Sequence, residues 1–192
     1  MTSTICLLPG DGIGKEVVPA AAQIIDALGI QIKTETHSAG WACFTETGTA
    51  LPASTLEAVK RCRTALFGAT SSPSGGVPGY SSPILDLRNQ LNLYANLRPI
   101  QSLPIASSYP GIDLLIVREN TEGLYVRRER WQDDDTAIAE RVITRIACER
   151  IASVALSHAK QRRGHLTIAH KSNVLVETDG LFRQIVRETA EA

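Results

Sequence analysis

An excess of charge of either sign is missing from this 192-residue chain. Twenty Lys and Arg balance twenty Asp and Glu, the net charge is zero, and the two signs are interspersed. That argues against a nucleic-acid or anionic-membrane footprint. Long apolar runs are missing too, and none approaches the ~20 residues of a membrane span. The four cysteines, Cys6, Cys43, Cys62 and Cys148, are scattered, with no CxxC and no His at metal spacing. They read as reduced, buried or half-buried thiols, and the expected compartment is the cytoplasm. The opening MTSTICLLPGDG has no basic n-region and no long apolar h-region, so it does not read as a secretory leader. The length suits one domain with a real core, or one and a half.

What is present is an alternation of short apolar runs and amphipathic helical patterns. Thr4–Leu8 is a short run ending in Pro9-Gly10-Asp11-Gly12-Ile13-Gly14. From Lys15 to Leu28, Val17, Val18, Ala21, Ile24, Ile25 and Leu28 fall on one helical face. Strand, glycine-rich turn, helix is how a mononucleotide-type α/β unit opens. The GDGIG turn could cradle a phosphate at a helix N-terminus. Its spacing is not G-x-G-x-x-G, however, and the favoured reading is a tight turn that needs glycine. Residues 30–36 alternate as a strand, 40–48 and 52–61 read as short helices, and 64–67 as a buried strand. Strands alternating with helices up to Pro99 indicate a parallel sheet. The Pro/Ser-rich stretch 103–111 reads as a passage into a second lobe. The expected domains are therefore 1–99 and 100–192.

Four stretches carry chemistry. In PILDLRNQLNLYANLRP (83–99), Ile84, Leu87 and Leu91 set a helix bearing Arg88, and the run before Pro99 sets a strand bearing Arg98. Two planar guanidiniums at one mouth suit a di- or tricarboxylate; the alternative is two surface arginines. GATSSPSGGVPGY (68–80) lacks apolar periodicity and reads either as a lid at a cleft, with Ser72 the residue of interest, or as a plain linker. The strand 113–117 ends in Arg118, followed by Gly123 and Tyr125: either a third carboxylate clamp with a proton donor, or a charged turn. The last, 166–169, reads as a buried strand with Lys171 at its carboxyl end, the usual ligand edge of an open α/β sheet. A partly desolvated lysine there can act as a base, although a strand-end surface lysine would look the same. Residues 125–144 read as a hairpin around the acidic run Asp133–Asp135, which could ligate a divalent metal but for which a solvated turn is the favoured reading. Residues 145–160 and 178–192 read as helices, the second with Thr178 or Asp179 as N-cap.

LPGDGIGKEV, LRNQLNLYANLRP, VRENTEGLY and HKSNVL, with the helix that follows, occur here in the order in which similar segments occur in the β-decarboxylating dehydrogenases. That family includes isocitrate, homoisocitrate, 3-isopropylmalate and tartrate dehydrogenases. VRENTEGLY is most similar to the isocitrate and homoisocitrate branches, and the chain as a whole most resembles the homoisocitrate enzymes. The resemblance implies an isopropylmalate dehydrogenase-like α/β fold: an incomplete parallel-sheet lobe, then part of a second α/β lobe with a protruding hairpin arm. It implies that Arg88, Arg98 and Arg118 bind the carboxylates of a malate-like 2-hydroxy acid. Ser82, Ile84 and Leu85, ahead of Arg88, would face the substrate's variable substituent, and Ser72 and Asn173 would also contact the substrate. Tyr125 would protonate the enolate carbon, and Lys171 would take the hydroxyl proton, acting in the neighbouring subunit's site. NAD would lie against Ala69, Thr70 and Asn173. The hairpin implies a dimer.

The family runs to nearly twice this length. The aspartates that hold Mg2+ or Mn2+ there, and the adenosine loop, have no counterpart in this sequence, so no metal ligand is expected in this chain. It therefore reads as the amino-terminal half of such an enzyme, paired as a homodimer or with a complementary carboxyl-terminal half. Substrate choice is split. Leu85 suits an isopropyl group, whereas VRENTEGLY points to a tricarboxylate. A non-catalytic subunit that binds the acid or a full-length partner is the rival reading.

Overall fold

A computed structural model describes residues 3–191. It divides into two compact units, Met1–Leu91 and Asn92–Ala192.

The first unit is α/β. β1 (Ser3–Gly10) is the central strand, β2 (Ile32–Thr36) and β3 (Ala65–Ala69) lie parallel on either side, and the order is β2-β1-β3. Parallel neighbours need crossovers, and the helices supply them. α1 (Gly14–Ala27) joins β1 to β2; α2 (Trp41–Thr47) and α3 (Ala53–Cys62) join β2 to β3; α4 (Pro83–Gln90) follows β3. Cys6 and Leu8 of β1 pack with Leu56, Ala58 and Val59 of α3 and with Leu87 of α4, and that is the core. Gly48 ends α2 in the left-handed conformation (φ 78°) that favours glycine.

The β1–α1 turn bears out the tight-turn reading. Gly10 has φ 74° and Gly12 φ 48°. Gly14 is demanded by space instead: a Cβ there would lie 2.0 Å from the Pro9 carbonyl oxygen and 2.6 Å from the Ala69 nitrogen. Both neighbours are backbone and cannot rotate away. Gly14→Ala is therefore expected to cost about 2–3 kcal/mol in chemical denaturation. A loss below about 0.5 kcal/mol would mean that the helix does not approach the strands this closely.

In the second unit β4 (Ala95–Gln101) pairs antiparallel with β5 (Asp113–Glu119) along its whole length. β4 is thus not a further parallel strand of the first sheet. The unit boundary falls at Leu91, ahead of the Pro99 expected, and residues 103–111 connect β4 to β5. β6 (Glu129–Trp131) and β7 (Ala137–Ala139) form a short hairpin. Its arms do not reach back to Tyr125, which lies in a 3-10 turn, Leu124–Val126, between Gly123 (φ 72°) and Arg127 (φ 55°). α5 (Arg145–Lys160) and α6 (Thr178–Glu191) pack on each other through Ala147, Cys148, Ile151, Ile185 and Val186.

Residues 166–169 form no strand. The apolar alternation is there, but no strand among the described residues hydrogen-bonds to it. Leu166 and Ile168 stay half-buried, and Thr167 and Ala169 are exposed. Lys171 therefore sits in an exposed turn ahead of α6 rather than at a strand end.

Candidate functional site

Asp11 organises the carboxyl end of the first sheet. The residue is buried, and its carboxylate accepts the backbone N–H groups of Trp41 (2.7 Å), Ala42 (2.9 Å) and Ser71 (2.9 Å). Burial pushes the Asp11 carboxyl up, but the three amides and Lys15 outweigh that and hold it below the usual carboxylate range. One side chain thus fills the N-terminus of α2 and pins the start of the 70–82 loop. The far end of that loop is pinned by Tyr80, whose ring stacks edge-on to Trp41 and Phe44 and whose hydroxyl donates to the Ser71 carbonyl (3.0 Å). Ser72 is exposed, directly after the pinned residue. Ala69 and Thr70 are half-buried where β3 ends, and Arg88 and Leu85 are half-buried on α4.

The structure brings Arg98, Arg118 and Tyr125 together in the second unit. In the β4–β5 register Asn96 opposes Arg118 and Arg98 opposes Ile116, so both arginines stand on one face of the ribbon. Arg98 is steadied by Nε donating to Asn96 Oδ1 (3.1 Å). Arg118 Nη2 donates to the Tyr125 phenol oxygen (2.5 Å), with its guanidinium 5.1 Å from the ring centroid. In that arrangement the phenol oxygen accepts, and its hydrogen remains available to another group. Arg118 and Tyr125 line a cavity of about 620 Å3 walled by Ile143, Ile151 and Phe182, with Arg141 and Cys148 also in its lining. Burial pushes the Cys148 thiol up to about 11, further raised by Glu122 and Glu119.

Glu119 is a residue that sequence reasoning missed. It sets the turn between Arg118 and Tyr125. Its Oε2 accepts the N–H groups of Thr121 and Glu122 (2.8 Å each), and its Oε1 accepts the Thr121 hydroxyl (2.6 Å) and Arg150 Nη2 (2.8 Å). Arg150, on α5, also lies over Tyr94 at 4.5 Å. Burial pushes the Glu119 carboxyl up, but these donors together hold it below the usual range. Glu122 accepts both the N–H (2.8 Å) and the hydroxyl (2.7 Å) of Thr144, the N-cap of α5. A local trace of this was in the sequence: a threonine two residues after a glutamate is the spacing of a side chain that closes its own turn.

Among the described residues no group of three or more His, Cys, Asp or Glu converges where a metal ion could be held. Asp133 accepts the Asp135 N–H (3.0 Å) within its own turn. The described residues do not fit a catalytic divalent ion. For a dinucleotide the fit is restricted. The α2 N-terminus is filled by Asp11, and the N–H groups of Gly14, Lys15 and Glu16 at the start of α1 are taken by the carbonyls of Asp11, Gly12 and Ile13. Thr70 and the exposed Asn173 offer polar contacts, without a phosphate cradle. No described helix is long and apolar enough to cross a membrane.

The family described as isocitrate/isopropylmalate dehydrogenase matches residues 4–192. An isocitrate/homoisocitrate dehydrogenase of Thermus thermophilus is 50% identical over 192 residues, covering 100% of this chain and 57% of that protein. A 3-isopropylmalate dehydrogenase of Methanothermobacter thermautotrophicus is 46% identical over 181 residues, covering 93% of this chain and 53% of that one. A crystal structure of isocitrate dehydrogenase from Methylococcus capsulatus superposes with a TM-score of 0.91 at 40% identity, over 98% of this chain and 57% of that one. The chain thus spans a little over half the length of the relatives it matches.

Proposed function

This chain belongs to the isocitrate/isopropylmalate dehydrogenase family, and from that premise we propose that it carries the acid-binding side of an NAD-dependent oxidative decarboxylation of a malate-type 2-hydroxy acid, with homoisocitrate, isocitrate and 3-isopropylmalate the substrates to test. The observation that supports this reading is the shared face of Arg98 and Arg118 with Tyr125 held against Arg118.

Each residue then has one task. Arg88, Arg98 and Arg118 grip carboxylates, because a planar fork matches two carboxylate oxygens at once. Lys171 accepts the hydroxyl proton as C2 gives up its hydride. NAD, when bound, is the hydride acceptor, with Ala69, Thr70 and Asn173 beside it. The C–C bond to the β-carboxylate then breaks, CO2 leaves, and the electron pair stays as an enolate, which Tyr125 protonates at carbon. Leu85, with Ser82 and Ile84, flanks the variable substituent, and Ser72 contacts the substrate from the 68–80 loop. No step is assigned to a metal, since the described residues do not fit one. The β6–β7 hairpin is the proposed contact with a second subunit, and Lys171 serves that subunit's site.

Calorimetric titration of the three acids into the purified chain tests the clamp. Arg118→Gln should weaken the preferred acid about 10- to 100-fold, the worth of a charge-assisted pair. Unchanged affinity in a folded variant contradicts the reading. A second reading is a subunit that binds the acid or a longer partner without turnover. It predicts the same titration with no NADH formed when the rest of the family's length is supplied.

A further inference from the structure

The turn that presents Lys171 is not held by a sheet. It is closed on itself, with the Val174 and Leu175 N–H groups donating to the Lys171 carbonyl at 3.0 and 2.9 Å. Such a turn on an exposed segment has no reason to stay in one place. The structure supplies one from α6. Asp179, only 4% exposed, accepts the Lys171 N–H on Oδ2 at 2.5 Å, and its Oδ1 accepts from Arg141.

An aspartate in the first turn of a helix ordinarily caps its own helix. Here the N–H groups of Asp179 and Gly180 donate to the Leu175 carbonyl at 3.0 and 3.3 Å, and the side chain is turned back on the preceding segment. Arg141 holds the carboxylate from the other side and also donates to the Thr178 hydroxyl (3.0 Å). Arg141 in turn stands in the wall of the cavity that Arg118 and Tyr125 line. Burial pushes the Asp179 carboxyl up, but the Lys171 amide, Arg141 and His170 outweigh it, so the group is anionic at neutral pH.

We infer that Asp179 is a positioning residue for Lys171: its carboxylate clamps the lysine's backbone and, through Arg141, ties it to the cavity wall, so that the ε-amine is presented from a fixed point. This rests on the reading of Lys171 as the proton acceptor and adds to it the group that sets where the acceptor stands.

Amide hydrogen exchange and 1H–15N spectra of the purified chain test the clamp without any turnover. A carboxylate acceptor at this distance draws the Lys171 amide proton downfield. Asp179→Asn should move it upfield and speed its exchange at least about tenfold, while Ile151 in the α5 core keeps its protection. A capping role alone would do the reverse. The α6 amides such as Leu181 would lose protection while Lys171 stayed within about twofold of the parent, and that result would overturn the inference. Should Asp179→Asn not fold, Arg141→Gln decides, because its side chain is 38% exposed and its loss is tolerable. Lys171 exchange should rise about threefold or more, and an unchanged rate overturns the clamp. Loss of turnover in Lys171→Ala is a separate measurement. Its failure would remove the catalytic role of Lys171 and leave the amide result standing.

Discussion

Asp11→Ala lowers the stability of the first unit by roughly 3–5 kcal/mol, read as a fall in the urea midpoint at unchanged m-value. The substitution strands three backbone donors together: Trp41, Ala42 and Ser71. Each buried amide left without an acceptor costs about 1–3 kcal/mol, and Ala42 and Ser71, which are exposed, recover part of their share from water. Asn in the same place does not restore the site, because its NH2 would face N–H groups that need an acceptor. The pH dependence has a definite sign. The folded carboxyl is held below the ordinary aspartate value, so its contribution is complete above the unfolded pKa and disappears as pH falls through the folded one. The parent should lose stability steeply below about pH 4, and Asp11→Asn should lose less over the same interval. A loss under about 1 kcal/mol in Asp11→Ala would show that Asp11 does not organise this loop.

Glu119→Ala costs the second unit about 3–5 kcal/mol by the same measurement, because it leaves Arg150 half-buried without its anion. Arg150 is poorly placed to absorb this: its Nε is already buried without a hydrogen-bond partner. The change also frees the N–H groups of Thr121 and Glu122, the turn that carries the chain from Arg118 to Tyr125. A double-mutant cycle separates the two effects. Glu119→Ala with Arg150→Met removes the orphaned charge and should recover 1–3 kcal/mol of the loss, roughly the coupling of a contacting pair. Additive losses would mean that the pair is not a unit.

What the sequence made legible follows from distance along the chain. Period-3.6 and alternating patterns act over a few residues, and they located α1, α3, α4, α5 and the first three strands. The glycines of the β1–α1 turn are equally local. Asp11 was invisible because its three donors lie 30, 31 and 60 residues away. The Glu119–Arg150 pair is likewise separated by 31 residues. Residues 166–169 misled for a related reason: alternation marks a segment fit to be a strand, but a strand exists only where a neighbour completes the ladder. Asp179 looked like a helix cap because residue type and position fit one, and only coordinates show that its carboxylate faces backward. Tyr125 looked like a strand residue because nothing local announces that Gly123 and Arg127 both take positive φ.

The central claim is that this chain carries the acid-binding and proton-moving groups of a decarboxylating dehydrogenase while the metal ligands come from elsewhere. The most direct test joins the chain to the 43% of the Thermus thermophilus relative that it does not span and follows NADH formation with Mg2+ and each of the three acids. The account predicts turnover by the joined protein, none by the 192-residue chain alone, and a fall of at least about 1,000-fold in Lys171→Ala, the scale of losing a general base. A folded joined protein that forms no NADH, or one whose turnover survives Lys171→Ala, contradicts it.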